Sequence, residues 1–207
     1  MIQPGLRERK KARTRATIVR VALELFAEQG YSQTTIAQIA GAADVSPRTV
    51  STYFPAKEDI VFDLGAGSKE RLAEAILERP RGQDTMAALR QWLLSERELL
   101  ERDEDLHVCQ RAVIDREEAL LIHERALMRE FELVLAEGLA GDLGLPPSDL
   151  QPRMAAAAAM AVFDLLQDEG KADAGGRLPP VEQQLELLDQ ALAFITGGVA
   201  ALRQHGD

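Results

Sequence analysis

The feature that most restricts the fold is the spacing of helix start and stop signals over residues 35–55, TIAQIAGAADVSPRTVSTYFP. Thr35, followed three residues later by Gln38, predicts a capping box at the start of a helix. Ser46 can cap a second helix, and Pro47 fits its first position, where the missing N–H costs nothing. Pro55 then ends that helix after about two turns. The segment therefore predicts two short helices joined by a tight turn.

An amphipathic helix precedes this pair. From Ile18 to Leu25 apolar residues recur at i, i+3, i+4 and i+7, which predicts a helix over about residues 9–28. Gly30 suits the C-cap of that helix. Three helices within 55 residues, the last two short and tightly joined, match a helix-turn-helix, which places its last helix in the major groove of DNA.

The third predicted helix has two different faces. Val50 and Phe54 are four residues apart and are expected to face inward, which leaves the polar side chains facing outward. Arg48, near the helix start, can bond the O6/N7 edge of a guanine. Phosphate oxygens, which fix the register without reading sequence, suit Thr49, Tyr53 and Lys57. The alternative is an ordinary exposed helix hairpin that binds no DNA.

The charge distribution singles out the same region. The first 60 residues hold nine Lys or Arg and six Asp or Glu, a formal net charge of +3. The whole chain carries −10, so the remainder carries −13. A basic head on an acidic body favours a polyanionic partner for the head alone. A solvated basic tail without a partner is the alternative.

The composition favours a soluble, all-α protein. Hydrophobic residues make up 46% and aromatic residues only 4%, while Ala and Leu abound and β-branched runs are scarce. The apolar run AAAAAMAVF has nine residues, against about 18 needed to span a bilayer. No apolar segment follows the basic N-terminus, so no secretory signal is expected. The single cysteine excludes an intrachain disulfide, and a cytoplasmic location is expected.

Beyond residue 56 the sequence predicts a larger helical domain. Helical patterns cover about 57–78, 84–102, 105–114, 116–140, 149–167 and 181–204, which makes about nine helices in total. The clearest linker is RPRGQD at 79–84. We therefore predict a helix-turn-helix domain at 1–56 and a second helical domain at 57–207.

The last predicted helix carries an apolar stripe whose spacings alternate between four and three residues, as in a seam between helices. Its members are Val181, Leu185, Leu188, Leu192, Ile195, Val199 and Leu202. A second apolar strip indicates that the helix is covered on two sides; it consists of Leu187, Ala191 and Phe194. We expect this helix and the Ala-rich helix before it to pair with their copies in a symmetric dimer. The alternative is a helix buried within its own domain.

The N-terminal region resembles the tetracycline-repressor-like (TetR) family of bacterial regulators over about residues 14–62. The helix-turn-helix of that family ends in Tyr-Phe, two spacer residues, Lys and an acid, which stand here as Tyr53, Phe54, Pro55, Ala56, Lys57 and Glu58. One departure is Asp44, at a turn position where the family usually has Gly. Asp tolerates the left-handed conformation better than most residues, so the turn is expected to form.

The resemblance implies a set of DNA contacts. Phosphates would be bound by Thr35, Thr49, Tyr53 and Lys57, base edges by Arg48 and Thr52, and a thymine methyl by Pro47. Arg13 and Arg15 would reach the DNA backbone or an adjacent groove, and Ser46 belongs to the same surface.

For the region beyond about residue 80 the resemblance implies only a helical, dimeric, effector-binding domain. The residues able to line a pocket are Trp92, His107, Cys109, Arg111, His123, Met128, Phe131 and Phe163. Core packing or plain exposure is the alternative for each of them. His107 and Cys109 lie two residues apart and point to different sides if both are helical, and no catalytic motif accompanies them. No enzymatic activity, cofactor or metal is expected.

The expected protein is a homodimeric regulator of transcription. It would be a repressor that binds a palindromic operator in double-stranded DNA and is released by a small-molecule effector. By linkage, DNA must then weaken effector binding as much as the effector weakens DNA binding. A DNA-binding protein that senses no ligand is the alternative.

Overall fold

The computed structural model describes residues 5–174 and 181–204, of which some in the last two helices are described by their backbone alone. The elements, in chain order, are α1 Leu6–Gln29, α2 Ile36–Ala42, α3 Pro47–Tyr53, α4 Lys57–Val61, a 3-10 turn Phe62–Gly65, α5 Ser68–Leu77, α6 Thr85–Arg102, α7 Glu104–Ile114, α8 Glu118–Leu143, α9 Leu150–Ala174 and α10 Val181–Gln204. No strand occurs among these residues. The prediction of an all-α chain with an N-terminal helix-turn-helix and a larger helical part is confirmed.

The predicted helix caps are present in the N-terminal region. The amide of Gln38 donates to Thr35 Oγ1 at 3.2 Å, and the amide of Thr35 donates to Gln38 Oε1 at 2.8 Å, which completes the capping box of α2. The amide of Thr49 donates to Ser46 Oγ at 3.1 Å and caps α3. Asp44 has φ +53°, the one left-handed non-glycine residue in the described part of the chain. The turn therefore forms with Asp44 in the conformation that the sequence required.

The described residues form two compact units. The first comprises the region up to Ala66 together with Asp103–Ile122, and the second comprises the remainder. The first unit therefore extends past the boundary predicted at residue 56, and it takes α7 from the region assigned to the second domain.

The core of the first unit explains why α7 belongs to it. Apolar residues of α1, α2 and α3 are buried with Val113 and Ile114 of α7 and with Leu120 at the start of α8. The side chain of Gln110 on α7 also donates to the carbonyl of Val61, at the end of α4, at 2.6 Å. Burial of these apolar side chains supplies the main stabilisation of the helix-turn-helix, so α7 is part of its scaffold.

Residues 57–78 do not form the single helix that the sequence predicts. α4 ends at Val61 and passes into the 3-10 turn, and α5 begins after Gly67, which has φ +77°. A left-handed residue cannot continue an α-helix, and glycine adopts this conformation without the steric cost borne by other residues. At this break, between Ala66 and Gly67, the chain passes from the first unit into the second.

Ion pairs join different elements of the second unit. Arg71 on α5 donates to both carboxylate oxygens of Glu96 on α6, at 2.6 and 2.8 Å. Burial raises the pKa of Glu96, but the hydrogen bonds from Arg71 and Ser68 outweigh this effect and hold that pKa below its usual range. Arg79 and Asp142 form a second pair at 2.7 Å. None of the helices in the described ranges is both long enough and apolar enough to cross a membrane.

Candidate nucleic-acid interface

Helix α3 has the two faces that its sequence predicts. Val50 and Phe54 are 0% and 1% exposed and lie in the core of the first unit. The side chains of Pro47, Arg48, Ser51 and Thr52 are exposed on the opposite side. A short helix fixed to its domain by two large apolar side chains can present the rest of its surface to a groove without bending.

The start of α3 combines a cap with an exposed cation. The hydroxyls of Ser46 and Thr49 lie 2.8 Å apart, and Ser46 also accepts the Thr49 amide. The guanidinium of Arg48 is exposed and makes no ion pair with any residue of the described ranges. An unengaged guanidinium at the first turn of such a helix has the donors needed for bidentate bonding to a guanine.

The other predicted contact residues differ in how far their polar groups are already used. Thr52 Oγ1 donates to the carbonyl of Arg48 at 2.7 Å, and Thr35 Oγ1 donates to Gln38 Oε1 at 2.9 Å. Tyr53 is half-buried, with its ring centroid 6.4 Å from that of Phe54. A hydroxyl that already donates its single hydrogen bond within the protein can still accept other bonds. It must break its existing bond before it can donate to a phosphate.

Lys57 has a structural partner that the sequence did not reveal. Its Nζ donates to the carbonyls of Tyr31 and Thr34 at 2.7 and 3.1 Å, and it lies 4.1 Å from the centre of the Tyr31 ring. Burial raises the pKa of Tyr31, and the carboxylate of Glu58 raises it further, so the phenol under the ammonium stays neutral. Two of the three donors of the ammonium are thus engaged in holding the turn before α2, and one remains for a phosphate.

Arg13 and Arg15 differ although they are neighbours in the sequence. Arg13 is exposed, as are Arg7, Arg9, Lys10 and Lys11 on the first turns of α1. Arg15 instead forms an ion pair with Asp63 and lies against Phe54. The structure therefore leaves the expected backbone contact open for Arg13, whereas the guanidinium of Arg15, whose side chain is 39% exposed, is already bonded within the first unit.

The predicted pocket residues are divided between the two units. Trp92, His123, Met128 and Phe131 belong to the second unit, whereas His107, Cys109 and Arg111 belong to the first. Trp92 and Phe131 lie together, with ring centroids 5.9 Å apart. The side chain of Phe163 lies outside the described residues. Within the second unit, the structure therefore brings together only part of the predicted set.

Cys109 and His107 each contact other residues of the first unit. Cys109 Sγ donates to the carbonyl of Leu23 on α1 at 3.4 Å, and burial raises the pKa of its thiol. Burial lowers the pKa of His107, whose Nδ1 lies 3.4 Å from Gln110 Oε1. A thiol with a raised pKa is a poor nucleophile at neutral pH, and Cys109 packs against the core of the first unit.

The apolar stripe of α10 needs a correction. Leu192, Ile195 and Val199 are buried in the core of the second unit, among residues of α6, α8 and α9. They were expected to face a second copy of the chain, but their own unit already covers them. The side chains of Val181, Leu185, Leu188 and Leu202 lie outside the described residues. Phe194, from the second strip, is instead 73% exposed.

The fold of the first unit and the exposed face of α3 define a helix-turn-helix DNA-binding protein. Residues 18–64 match the model of the bacterial regulatory proteins, tetR family. The helix-turn-helix region of the chain is therefore similar to that of this family of bacterial regulators. The resemblance inferred from the Tyr53–Glu58 pattern is thereby confirmed.

Individual relatives agree with this assignment. The HTH-type transcriptional regulator TcmR of Streptomyces glaucescens is 43% identical over 86 residues, which are 42% of this chain and 38% of that protein. The chain thus matches less than half the length of this relative. TcmR is named as a regulator of transcription rather than as an enzyme.

Solved structures extend the similarity to the second unit. The SmeT–triclosan complex has a TM-score of 0.65 at 21% identity and covers 87% of this chain and 90% of its own. Thermus thermophilus FadR, described as a TetR-family transcriptional repressor in complex with lauroyl-CoA, has a TM-score of 0.55 at 25% identity, with coverage of 89% and 94%. The chain therefore has the fold of these proteins over nearly its whole length.

Proposed function

We propose that this protein is a ligand-responsive repressor that binds a palindromic DNA operator as a homodimer and is released by a small-molecule effector. The observation that carries the proposal is the exposed guanidinium of Arg48 at the capped start of α3. Both features fit a helix that reads base edges through its first turns. The proposed place of action is the cytoplasm, where the operator is, and no catalysis is proposed.

The basic start of α1 supports the same interface. Arg7, Arg9, Lys10, Lys11 and Arg13 are all exposed on the first turns of this helix. Lysine and arginine near phosphates release condensed counterions, which gives sequence-independent affinity that falls with salt. We propose that this segment binds phosphates while α3 reads bases.

Binding is tested by fluorescence anisotropy on DNA that flanks the gene of the protein, against a scrambled duplex, at several salt concentrations. The proposal expects specific binding roughly a thousandfold or more tighter than the scrambled control, with affinity falling as salt rises. If neither this DNA nor a duplex selected from a random library binds specifically, the proposal is wrong.

Replacing Arg48 with alanine should relax sequence preference at one base pair in each half-site, at a cost of about 1–3 kcal/mol in discrimination. The matched control is Arg13→Ala, which should weaken specific and scrambled duplexes by similar factors because a phosphate contact carries no sequence information. Competition binding against a set of single-base operator variants measures both effects. An Arg48→Ala protein with unchanged discrimination would exclude Arg48 from base reading.

A dimer is proposed because one short helix-turn-helix reads only half an operator, and two half-sites lie about 34–36 Å apart. The second unit offers an apolar surface for this pairing. On α9 the exposed residues Leu150, Met154, Ala158, Ala161 and Leu165 follow one face at spacings of four, four, three and four. On the adjoining helix α10, Phe194 is exposed. We therefore place the dimer interface on this outer surface rather than on the buried stripe.

Replacing Phe194 with glutamate should weaken dimerisation by roughly tenfold or more, about 1.4 kcal/mol, because a carboxylate would be buried at the interface without a partner. Light scattering over a range of protein concentrations measures the dimer, and operator affinity should fall with it. Leu77→Glu is the control, since Leu77 is an exposed apolar residue of α5, at 45% exposure, outside the proposed surface. Equal dimerisation of wild type and Phe194→Glu would place the interface elsewhere.

The effector site is proposed to lie around Trp92 and Phe131. Trp92 Nε1 is buried and has no hydrogen-bond partner within the described part of the chain, a state that costs about 1–3 kcal/mol. An effector with a hydrogen-bond acceptor would remove that cost. The partly buried hydrophobic residues packed against the same core, among them Leu93, Met160 and Val162, favour an apolar body. FadR, which shares the fold, is described in complex with lauroyl-CoA, so such a domain can hold a ligand with a long apolar chain.

Trp92 is the only tryptophan of the chain, so its fluorescence reports directly on this site. Compounds that release labelled operator should also change the Trp92 emission over the same concentration range. Release without any change of that emission would place the effector elsewhere. A screen in which no compound releases the operator would favour the alternative, a DNA-binding protein that senses no ligand.

A further inference from the structure

The guanidinium of Arg15 contacts the end of α3 and the 3-10 turn that follows α4. Its Nε donates to Asp63 Oδ1 at 2.8 Å, and Nη2 bonds to the same oxygen. Its Nη1 donates to the carbonyl of Tyr53 at 3.2 Å. The face of the group lies 4.4 Å above the ring of Phe54. Each nitrogen and one planar face of the group are thus engaged within the first unit.

The bond to Tyr53 has a specific structural meaning. Tyr53 is the last residue of α3, and its carbonyl is among those that have no partner within the helix. A guanidinium at this end also interacts favourably with the negative end of the helix dipole. The DNA-reading helix is therefore capped by side chains at both ends, by Ser46 at its start and by Arg15 at its finish.

The bond to Asp63 connects this cap to a distant segment. Asp63 lies in the 3-10 turn after α4, 48 residues from Arg15, and its side chain is only 11% exposed. The carboxylate neutralises the guanidinium and fixes its position. The guanidinium in turn donates to the last carbonyl of α3. The ring of Phe54, which anchors α3 in the core, lies against the face of the guanidinium in a cation–π contact.

We propose that Arg15 is a positioning residue for DNA reading: with Asp63 it fixes the end of α3, and it does not itself bind phosphate. The proposal rests on the proposed operator binding and deepens it by naming what aligns the reading helix. It also separates Arg15 from Arg13, since the charge of Arg15 is paired with Asp63 whereas Arg13 is exposed.

The salt dependence of binding distinguishes the two roles. A lost phosphate contact reduces the slope of log affinity against log salt by about 0.9. Arg15→Gln should therefore lower the affinity for the operator roughly tenfold, about 1.4 kcal/mol, and should lower the preference for the operator over scrambled DNA by a similar factor. The slope of log affinity against log salt should stay unchanged. Arg13→Gln is the comparison, with a slope expected to fall by about 0.9. A fall of that size for Arg15→Gln, or an unchanged affinity, would overturn the proposal.

Asp63→Asn provides a second, independent variant, because it keeps the shape of the side chain and releases the cation. The freed Arg15 should raise affinity for scrambled DNA and steepen the slope by up to about 0.9, so that the preference for the operator falls by roughly tenfold. If Arg15→Gln does not fold, this variant decides alone. Unchanged preference and slope for Asp63→Asn would overturn the proposal.

Hydrogen exchange separates failure of this proposal from failure of operator binding. In the DNA-free protein, Arg15→Gln should speed exchange at the amides of Val50, Tyr53 and Phe54, while the capped start of α2 exchanges as in wild type. This result does not depend on DNA. If the wild-type protein binds no operator specifically, the proposed function is wrong. The exchange result in the DNA-free protein would still show whether Arg15 orders the end of α3.

Discussion

Replacing Phe54 with alanine should destabilise the first unit by about 3–5 kcal/mol, the range for removing a buried aromatic ring, and should abolish operator binding. The ring is 1% exposed in the core beneath α3, and Arg15 packs on its face. Its removal leaves a cavity, takes the support from Arg15 and frees the end of the reading helix. No truncation on α3 itself is expected to cost as much.

The measurement is chemical denaturation followed by two probes. Far-UV circular dichroism follows all helices, whereas Trp92 fluorescence follows the second unit, because this tryptophan lies there and is the only one in the chain. Phe54→Ala should shift part of the dichroism transition to lower denaturant than the fluorescence transition. Phe54→Leu, which keeps much of the volume, should cost clearly less. A loss below about 1 kcal/mol for the alanine variant would contradict the assigned role of the ring.

Replacing Gly138 with alanine should destabilise the second unit by about 3 kcal/mol, at the upper end of the range for overpacking. A Cβ at this position of α8 would lie 2.3 Å from Ile76 Cγ2 and 2.9 Å from Thr85 Oγ1. Ile76 is fully buried, and its branched side chain has little freedom to move aside. The helix must therefore shift, and this loss exceeds the gain of about 1 kcal/mol that alanine brings to a helix.

Gly141, one turn later on the same helix, is the matched control. A Cβ there would lie 3.7 Å from Arg79 Nη2, an ordinary contact, so Gly141→Ala should be neutral or stabilising by up to about 1 kcal/mol. Denaturation followed by Trp92 fluorescence compares the two variants. Equal stability of Gly138→Ala and Gly141→Ala would mean that α8 does not pack tightly against α5 and α6 at Gly138.

The parts of this fold that could be predicted from the sequence depend on local interactions. Thr35 with Gln38 and Ser46 with Thr49 lie three residues apart, and such caps follow from short-range geometry alone. The left-handed Asp44 was expected from the family resemblance, together with the tolerance of Asp for this conformation. The inward faces of Val50 and Phe54 follow from helical periodicity, so short-range patterns are sufficient to predict the helix-turn-helix.

The parts that could not be predicted depend on partners distant in the sequence. Arg15 and Arg13 look alike in a basic stretch, and only the fold brings Asp63 beside one of them. Lys57 likewise suits a phosphate by its type, but the carbonyls of Tyr31 and Thr34 occupy two of its donors. On α10, periodicity showed two apolar strips without deciding which faces the core, because both satisfy the same helical spacing.

The place of α7 in the first unit has a consequence for how such regulators exchange parts. Genes recombine most simply at a single junction, and a cut after residue 66 looks natural because the matched region ends at residue 64. That cut would separate the reading head from Val113 and Ile114, which complete its core. A hybrid chain that combines a new helix-turn-helix with an old second unit must inherit two segments of the chain or repack the core of the first unit. Diversification of DNA specificity in this architecture is therefore expected to proceed by substitution on α3 more readily than by exchange of whole domains.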